Sequence, residues 1–305
     1  MGLLVVGSIG LDTVETQLGK IENALGGSAT YISIASSYFT SPVNLVGVVG
    51  DDFGKKNIEL FKSHNINLDG LQIVDGEKTF RWGGKYHEDM NNRDTIFTEL
   101  NVFEKFDPII PQSWKDNSFV LLGNILPSLQ LRVLDQVTNP QFVVCDTMNL
   151  WINIALDDLM KVLKRINVLI INDSEAKMLS KETNLIKAAK IIRGFGPEYL
   201  VIKKGEHGAL LFGNDFTFSA PALPMETIFD PTGAGDTFAG GFTSYLHKSK
   251  TINKASMKKA VIYGSVMASF CVEKFSTIGI ENLSNEQISK RFNAFVELAR
   301  FDFNE

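Results

Sequence analysis

Cysteine is scarce in this chain: 305 residues carry only Cys145 and Cys271, each set inside an apolar run, FVVCD and ASFCV. That placement argues against a disulfide framework or a cysteine-ligated metal and predicts two buried, reduced thiols in a reducing compartment. The four histidines, His64, His87, His207 and His247, have no metal-like spacing, which argues against a histidine-held metal. No apolar run approaches the ~20 residues a membrane helix needs. The opening MGLLVVGSIG lacks the cationic region and the length of a signal peptide and reads as a first strand. Excess positive charge is also absent, since 30 Lys and Arg stand against 35 Asp and Glu for a net charge of -5. Nucleic-acid binding therefore loses its main electrostatic footprint. Neither G-x-x-x-x-G-K-[ST] nor G-x-S-x-G occurs, which excludes a P-loop and a hydrolase nucleophile elbow. Together these absences point to a soluble, cytoplasmic protein that acts on a small molecule, with neither nucleic acid nor membrane as partner.

The chain is 44% hydrophobic and 21% charged, a composition suited to one large domain over 1–305. Short apolar runs at 3–6, 45–49, 119–122, 142–145, 168–171 and 199–202 read as buried parallel strands. Helical periods fall between most of them, at 29–38, 55–63, 129–137, 156–166 and 185–193, and two more follow at 254–271 and 286–299. This alternation predicts an α/β layered sheet. Two stretches break the rhythm with alternating polar and apolar residues, about 13–25 and 78–103, with turn signals at Gly19 and at Asn91 and Asn92. They are read together as a small accessory sheet inserted into the main fold.

The most informative segment is DPTGAGDTFAGG, residues 230–241. Gly233, Ala234 and Gly235 can bring bare backbone amides close to an anion at the entrance of the helix that follows. Asp236 is electrostatically awkward there, because a carboxylate repels a resident phosphate unless it serves a purpose such as proton abstraction. The same string also suits a plain helix start in which Asp230 or Thr232 caps and Asp236 complements the helix dipole. Upstream, strand 3–6 runs into GSIGLD and delivers Asp12 to the end of the sheet where ligands bind, suited to pairing with vicinal hydroxyls or to making a turn. Gly26, Gly27 and Ser28 form a second glycine-lined helix entrance. In INDSEAKML, Asn172 and Glu175 stand three apart, a spacing that suits a hydrated Mg2+ and, on local grounds, suits a capping box better. In YLVIKKGEHG a strand ends in Lys203 and Lys204, one to meet a nucleotide phosphate and the other a solvated flank.

Taken in order, GSIGLD, GGSAT, VGDDFG, NDSE, KKGEHG and DPTGAGD together resemble the PfkB family of carbohydrate kinases, across nearly the whole chain. The resemblance implies a ribokinase-like three-layer α/β/α fold, with a mostly parallel central sheet and a small β-sheet lid formed by the two insertions. It implies an ATP-dependent phosphotransferase acting on a hydroxymethyl group of a sugar or sugar-like acceptor. Asp236 is then the general base and Gly233, Ala234 and Gly235 the anion hole. Asp12, Gly26, Gly27 and Ser28 fall at the acceptor. Lys203, Gly205, Gly208 and Thr232 fall at ATP, while Asn172 and Glu175 match the N-x-x-E element associated with Mg2+. A monovalent-cation site bordering 263–278 belongs to the same pattern, from which Glu273 and Phe275 depart. Tyr31 likewise stands where ribokinases carry asparagine, and Ser28 where they often carry lysine. The readings that compete with a sugar kinase are a nucleoside kinase and a noncatalytic sugar- or nucleotide-binding regulator. The lid also offers a surface for a homodimer.

Overall fold

Side chains alternate from face to face along a strand, so a strand that is apolar at every position must be covered on both sides. The computed structural model, which describes residues 2–116 and 119–300, shows this arrangement. Met1, 117–118 and 301–305, which the single-domain reading of 1–305 also spans, lie outside the described residues.

In chain order the elements begin with β1 (Leu3–Val6), β2 (Gly10–Thr16), β3 (Gly19–Gly26), α1 (Ser28–Ser37), β4 (Val43–Gly50), α2 (Lys55–Ser63) and β5 (Ile66–Val74). The lid returns as β6 (Phe80–Tyr86) and β7 (Arg93–Glu99) before β8 (Phe119–Leu122), α3 (Pro127–Gln136) and β9 (Phe142–Asp146). Next come α4 (Asn149–Ile154), α5 (Leu156–Leu163), β10 (Val168–Asn172), α6 (Asp173–Ser180), α7 (Leu185–Arg193) and β11 (Tyr199–Lys203). The hairpin β12 (Ala209–Phe212) and β13 (Thr217–Ala220) is followed by α8 (Ala234–Ser249), α9 (Lys254–Cys271) and α10 (Asn285–Ala299).

Among the described residues, nine strands form one sheet in the order β13-β12-β11-β10-β9-β8-β1-β4-β5. The pairs from β11 through to β5 are parallel, and the β11–β12 and β12–β13 pairs are antiparallel. Leu3, Val5, Leu121, Val144, Ile170 and Val201 pack into one hydrophobic cluster with residues of α1, α8 and α9. Their neighbours Leu4, Val6, Leu122, Val143, Ile171 and Ile202 pack into a second cluster with α3, α5 and α7. The sheet is thus the middle of three layers. Strands expected from the apolar runs at 3–6 and 119–122 have those bounds in the structure, three others extend by one residue, and that at 45–49 extends by three.

Four strands make the second sheet, ordered β3-β2-β6-β7, in which β2 and β6 run parallel and the outer pairs antiparallel. Its register pairs Asp12 with Trp82 and Tyr86 with Arg93, so these four side chains share one face of the lid. The root of the lid is tied to the body by Asp52, whose carboxylate accepts from Thr79 N at 2.7 Å and from Arg81 at 2.9 Å. No helix is long and apolar enough to cross a membrane among the described residues.

Candidate active site

The carboxyl ends of β9, β10 and β11 lie side by side in the sheet and carry Asp146, Asn172 and Lys203, with Asn172 paired to Lys203 and Asp146 paired to Ile170, two residues before Asn172. This is the end of a parallel sheet at which ligand groups gather. Lys203 Nζ lies 3.6 Å from Asp146 Oδ1, and a Cβ added to Gly235 would stand 2.7 Å from that same nitrogen. The lysine therefore reaches from β11 to the glycine turn. Burial opposes its charge, yet the carboxylates of Asp146, Glu175 and Asp236 hold its pKa above the ordinary lysine value. Of the two lysines in KKGEHG, the one engaged with these acids is Lys203.

α8 starts without a side-chain cap, which sets aside the alternative reading in which Asp230 or Thr232 caps it. Gly233 is the N-cap, in the left-handed region at φ 76°, where a Cβ would lie 2.4 Å from the Tyr31 ring. Only glycine meets both conditions. Asp230 is committed elsewhere: fully buried, it accepts from Thr232 N at 2.8 Å and from Ser276 N at 3.0 Å, fixing the loop that leads into the turn. The amide of Ala234 donates to Pro231 O at 3.2 Å, so that donor is partly spent within the turn. Without a capping side chain, the next amides of the first turn, those of Gly235 and Asp236, remain available to an anion.

Asp236 occupies that first turn, and its Oδ1 is buried without a hydrogen-bond partner. An unpaired buried carboxylate oxygen is costly, and burial accordingly pushes its pKa up to about 7, with the charges of Asp146 and Asp12 adding and those of Lys203 and Arg93 opposing. Asp12, on β2, has the same displacement to about 7, caused by burial and by Asp230 and moderated by the Gly27 N–H. A Cβ on Gly26 would fall 2.0 Å from Asp12 Oδ2, so the glycine makes room for the carboxylate. Gly27 is the N-cap of α1 at φ 90°.

Asn172 and Glu175 form a complete capping box on α6: Glu175 N donates to Asn172 Oδ1 at 2.8 Å, and Asn172 N donates to Glu175 Oε2 at 2.8 Å. The local reading of this string is therefore realised. Asn172 Oδ1 also takes the Ser174 hydroxyl at 2.7 Å, which commits that oxygen. Glu175 is nevertheless buried, with its pKa raised to about 7 by burial, against Lys203 and with Asp146. Among the described residues, no group of three or more His, Cys, Asp or Glu side chains is arranged to hold a metal ion.

Further assigned residues are engaged within the protein. The Ser28 hydroxyl accepts from Ser8 N at 3.1 Å and is buried, and Gly208 closes the turn into β12 against the Ala220 and Pro221 backbone. Gly205 opens that same turn, and Thr232 Oγ1 donates to the Tyr86 hydroxyl at 3.2 Å.

Two contributors escaped sequence reasoning, and the contact made by a third, Tyr86, was not legible there. Asp146 ends an apolar strand run as Asn172 and Lys203 do, and that shared position was the available signal. Arg93 had none: its guanidinium lies 5.4 Å from the Trp82 ring and 5.9 Å from the Tyr86 ring, and its charge acts on Asp12, Glu175 and Asp236. Tyr86, buried at 6% exposure on the lid, likewise gains its role from the register.

Residues 3–283 match the pfkB family carbohydrate kinase. The cytidine kinase of Thermococcus kodakarensis is 30% identical over 259 residues, covering 83% of this chain and 91% of the relative. The nucleoside kinase of Methanocaldococcus jannaschii is 22% identical over 84% of this chain and 82% of its own length. Its crystal structure superposes with a TM-score of 0.74 at 20% identity, covering 96% of this chain and 99% of the other. Arabidopsis thaliana ribokinase complexed with ribose and ATP superposes at 0.76 and 20% identity, over 95% and 98%. The three-layer body, the lid and these matches lead to one conclusion: the chain belongs to the pfkB family of carbohydrate kinases and has the ribokinase-like fold.

Proposed function

We propose that the protein transfers the γ-phosphoryl group of ATP to a hydroxymethyl group of a sugar or sugar-like acceptor. The observation that carries this reading is the buried, partnerless Oδ1 of Asp236 in the first turn of an uncapped helix. A carboxylate so placed accepts a hydroxyl proton, and the neighbouring amides of residues 233–235 face the charge that develops on the transferred group. Asp12 lies on the acceptor side and takes hydrogen bonds from acceptor hydroxyls. Lys203 lies on the donor side and neutralises phosphate.

A bound Mg2+ would supply charge neutralisation on the ATP phosphates, held through water by Glu175 with Asp146 beside it. The donor set fits a hydrated ion that keeps most of its own waters, and the cap holds Glu175 in place. Phosphoryl transfer leaves a general base a modest share, about 10²- to 10⁴-fold. Each anion-hole donor contributes ~2.7 to 4 kcal/mol, so the amides and Lys203 together outweigh Asp236.

A nucleoside acceptor is the second reading, favoured by the 30% identity to a cytidine kinase across 91% of that relative. Screening pentoses, hexoses, sugar phosphates and nucleosides for ATP-dependent phosphorylation separates the two. Ligand-induced thermal stabilisation without any product across the panel would refute catalysis and favour a noncatalytic binder.

A further inference from the structure

We propose that Tyr86 and Asn91 are positioning residues that couple closure of the lid to the nucleotide side of the cleft. The inference rests on the ATP reading of residues 203–208 and 233–235. Two hydrogen bonds cross the cleft from the β6–β7 hairpin. At its shoulder, the Tyr86 hydroxyl accepts from Thr232 Oγ1 at 3.2 Å, one residue before the Gly233 turn. Tyr86 is buried although its partner strand β7 is exposed along its whole length; Arg93 of β7 lies 5.9 Å from its ring, and Thr232 of the body meets its hydroxyl.

At the hairpin tip, Asp89 accepts from Asn91 N at 3.0 Å, from Asn92 N at 2.9 Å and from Asn92 Nδ2 at 2.6 Å. These bonds shape the turn and leave the Asn91 amide pointing outward to the body. Its Nδ2 donates to Glu206 Oε2 at 3.1 Å, in the loop that follows Lys203. Its Oδ1 stands 3.0 Å from the point a Cβ on Gly205 would occupy, and Gly205 has φ +54°. The tip thus seats on a loop that is glycine at the point of contact.

Each contact is individually modest, and both end on loops assigned to nucleotide. Whatever orders those loops favours the closed lid, and closure over an acceptor favours the ordered loops by the same factor. Hydrogen exchange with Mg·AMP-PNP as the probe tests this without any acceptor. In the wild type, the nucleotide protects amides at 203–208 and 232–236 and also protects the lid at 80–99. In the Tyr86→Phe/Asn91→Ala double variant, the loops remain protected and the lid protection falls at least threefold. Glu206→Gln, which keeps an acceptor oxygen, retains the coupling, whereas Glu206→Ala weakens it and leaves the Tyr86 contact in place. Unchanged lid protection in the double variant overturns the proposal, as does wild-type protection confined to the loops. Absence of protection everywhere overturns the nucleotide reading and this inference with it.

Discussion

Replacing Asp236 with Asn removes a proton acceptor and also removes an energetic burden. An ordinary aspartate titrates near 3.8, whereas Asp236 in the fold titrates at about 7, because burial and the Asp146 and Asp12 charges disfavour ionisation. A group with a raised folded pKa stabilises most below its unfolded pKa, and that contribution is lost as pH rises through 7. At 1.36 kcal/mol per unit, the wild type at pH 8 carries a penalty on the order of 4 kcal/mol that Asn cannot carry. Asp236→Asn should therefore match the wild type in urea denaturation near pH 4 and exceed it progressively up to pH 8. Turnover, followed by ADP release, should drop about 10²- to 10⁴-fold while Mg·AMP-PNP still binds. Turnover of the wild type should rise with pH on an acid limb near 7. Near-normal phosphorylation by the variant, or equal stability of both proteins at pH 8, would refute the reasoning.

Gly235→Ala puts a methyl group 2.7 Å from Lys203 Nζ, the mobile end of a long side chain, so the fold should persist while the lysine is displaced. Steady-state kinetics should show a turnover loss of about 10²-fold with a thermal midpoint close to wild type. Gly26→Ala places its methyl 2.0 Å from Asp12 Oδ2 and must move that carboxylate. Acceptor kcat/KM should fall about 10²-fold with nucleotide affinity retained, as measured by acceptor titration at saturating ATP. Cys271 is pushed up to about 12 by burial, and Cys145 higher still by burial and Asp146. Titration with a chromogenic disulfide should find both thiols unreactive in the native protein and both reactive in guanidinium.

Legibility varied with how local each signal was. Runs such as LLVV and FVLL declare themselves because every residue is buried. β5 and β13 escaped because they are the edge strands of the sheet, where half-exposed residues dilute the apolar run. The turn at 233–235 was legible because glycine and an adjacent acid carry their chemistry wherever they stand. The capping role of Asn172 and Glu175 was legible for the same reason, being written within four residues.

The sequence by itself determined the layered body, the existence of the lid and the glycine turn with Asp236, since periodicity, glycine and charge act over a few neighbouring residues. Only the tertiary structure decided which acids share one lysine and what the lid touches. Asp146 joins Glu175 and Lys203 because β9, β10 and β11 are neighbours in the sheet. Tyr86 meets Thr232 across 146 positions of chain. Sheet order and lid closure create such contacts, and neither leaves a mark on the residues immediately beside them.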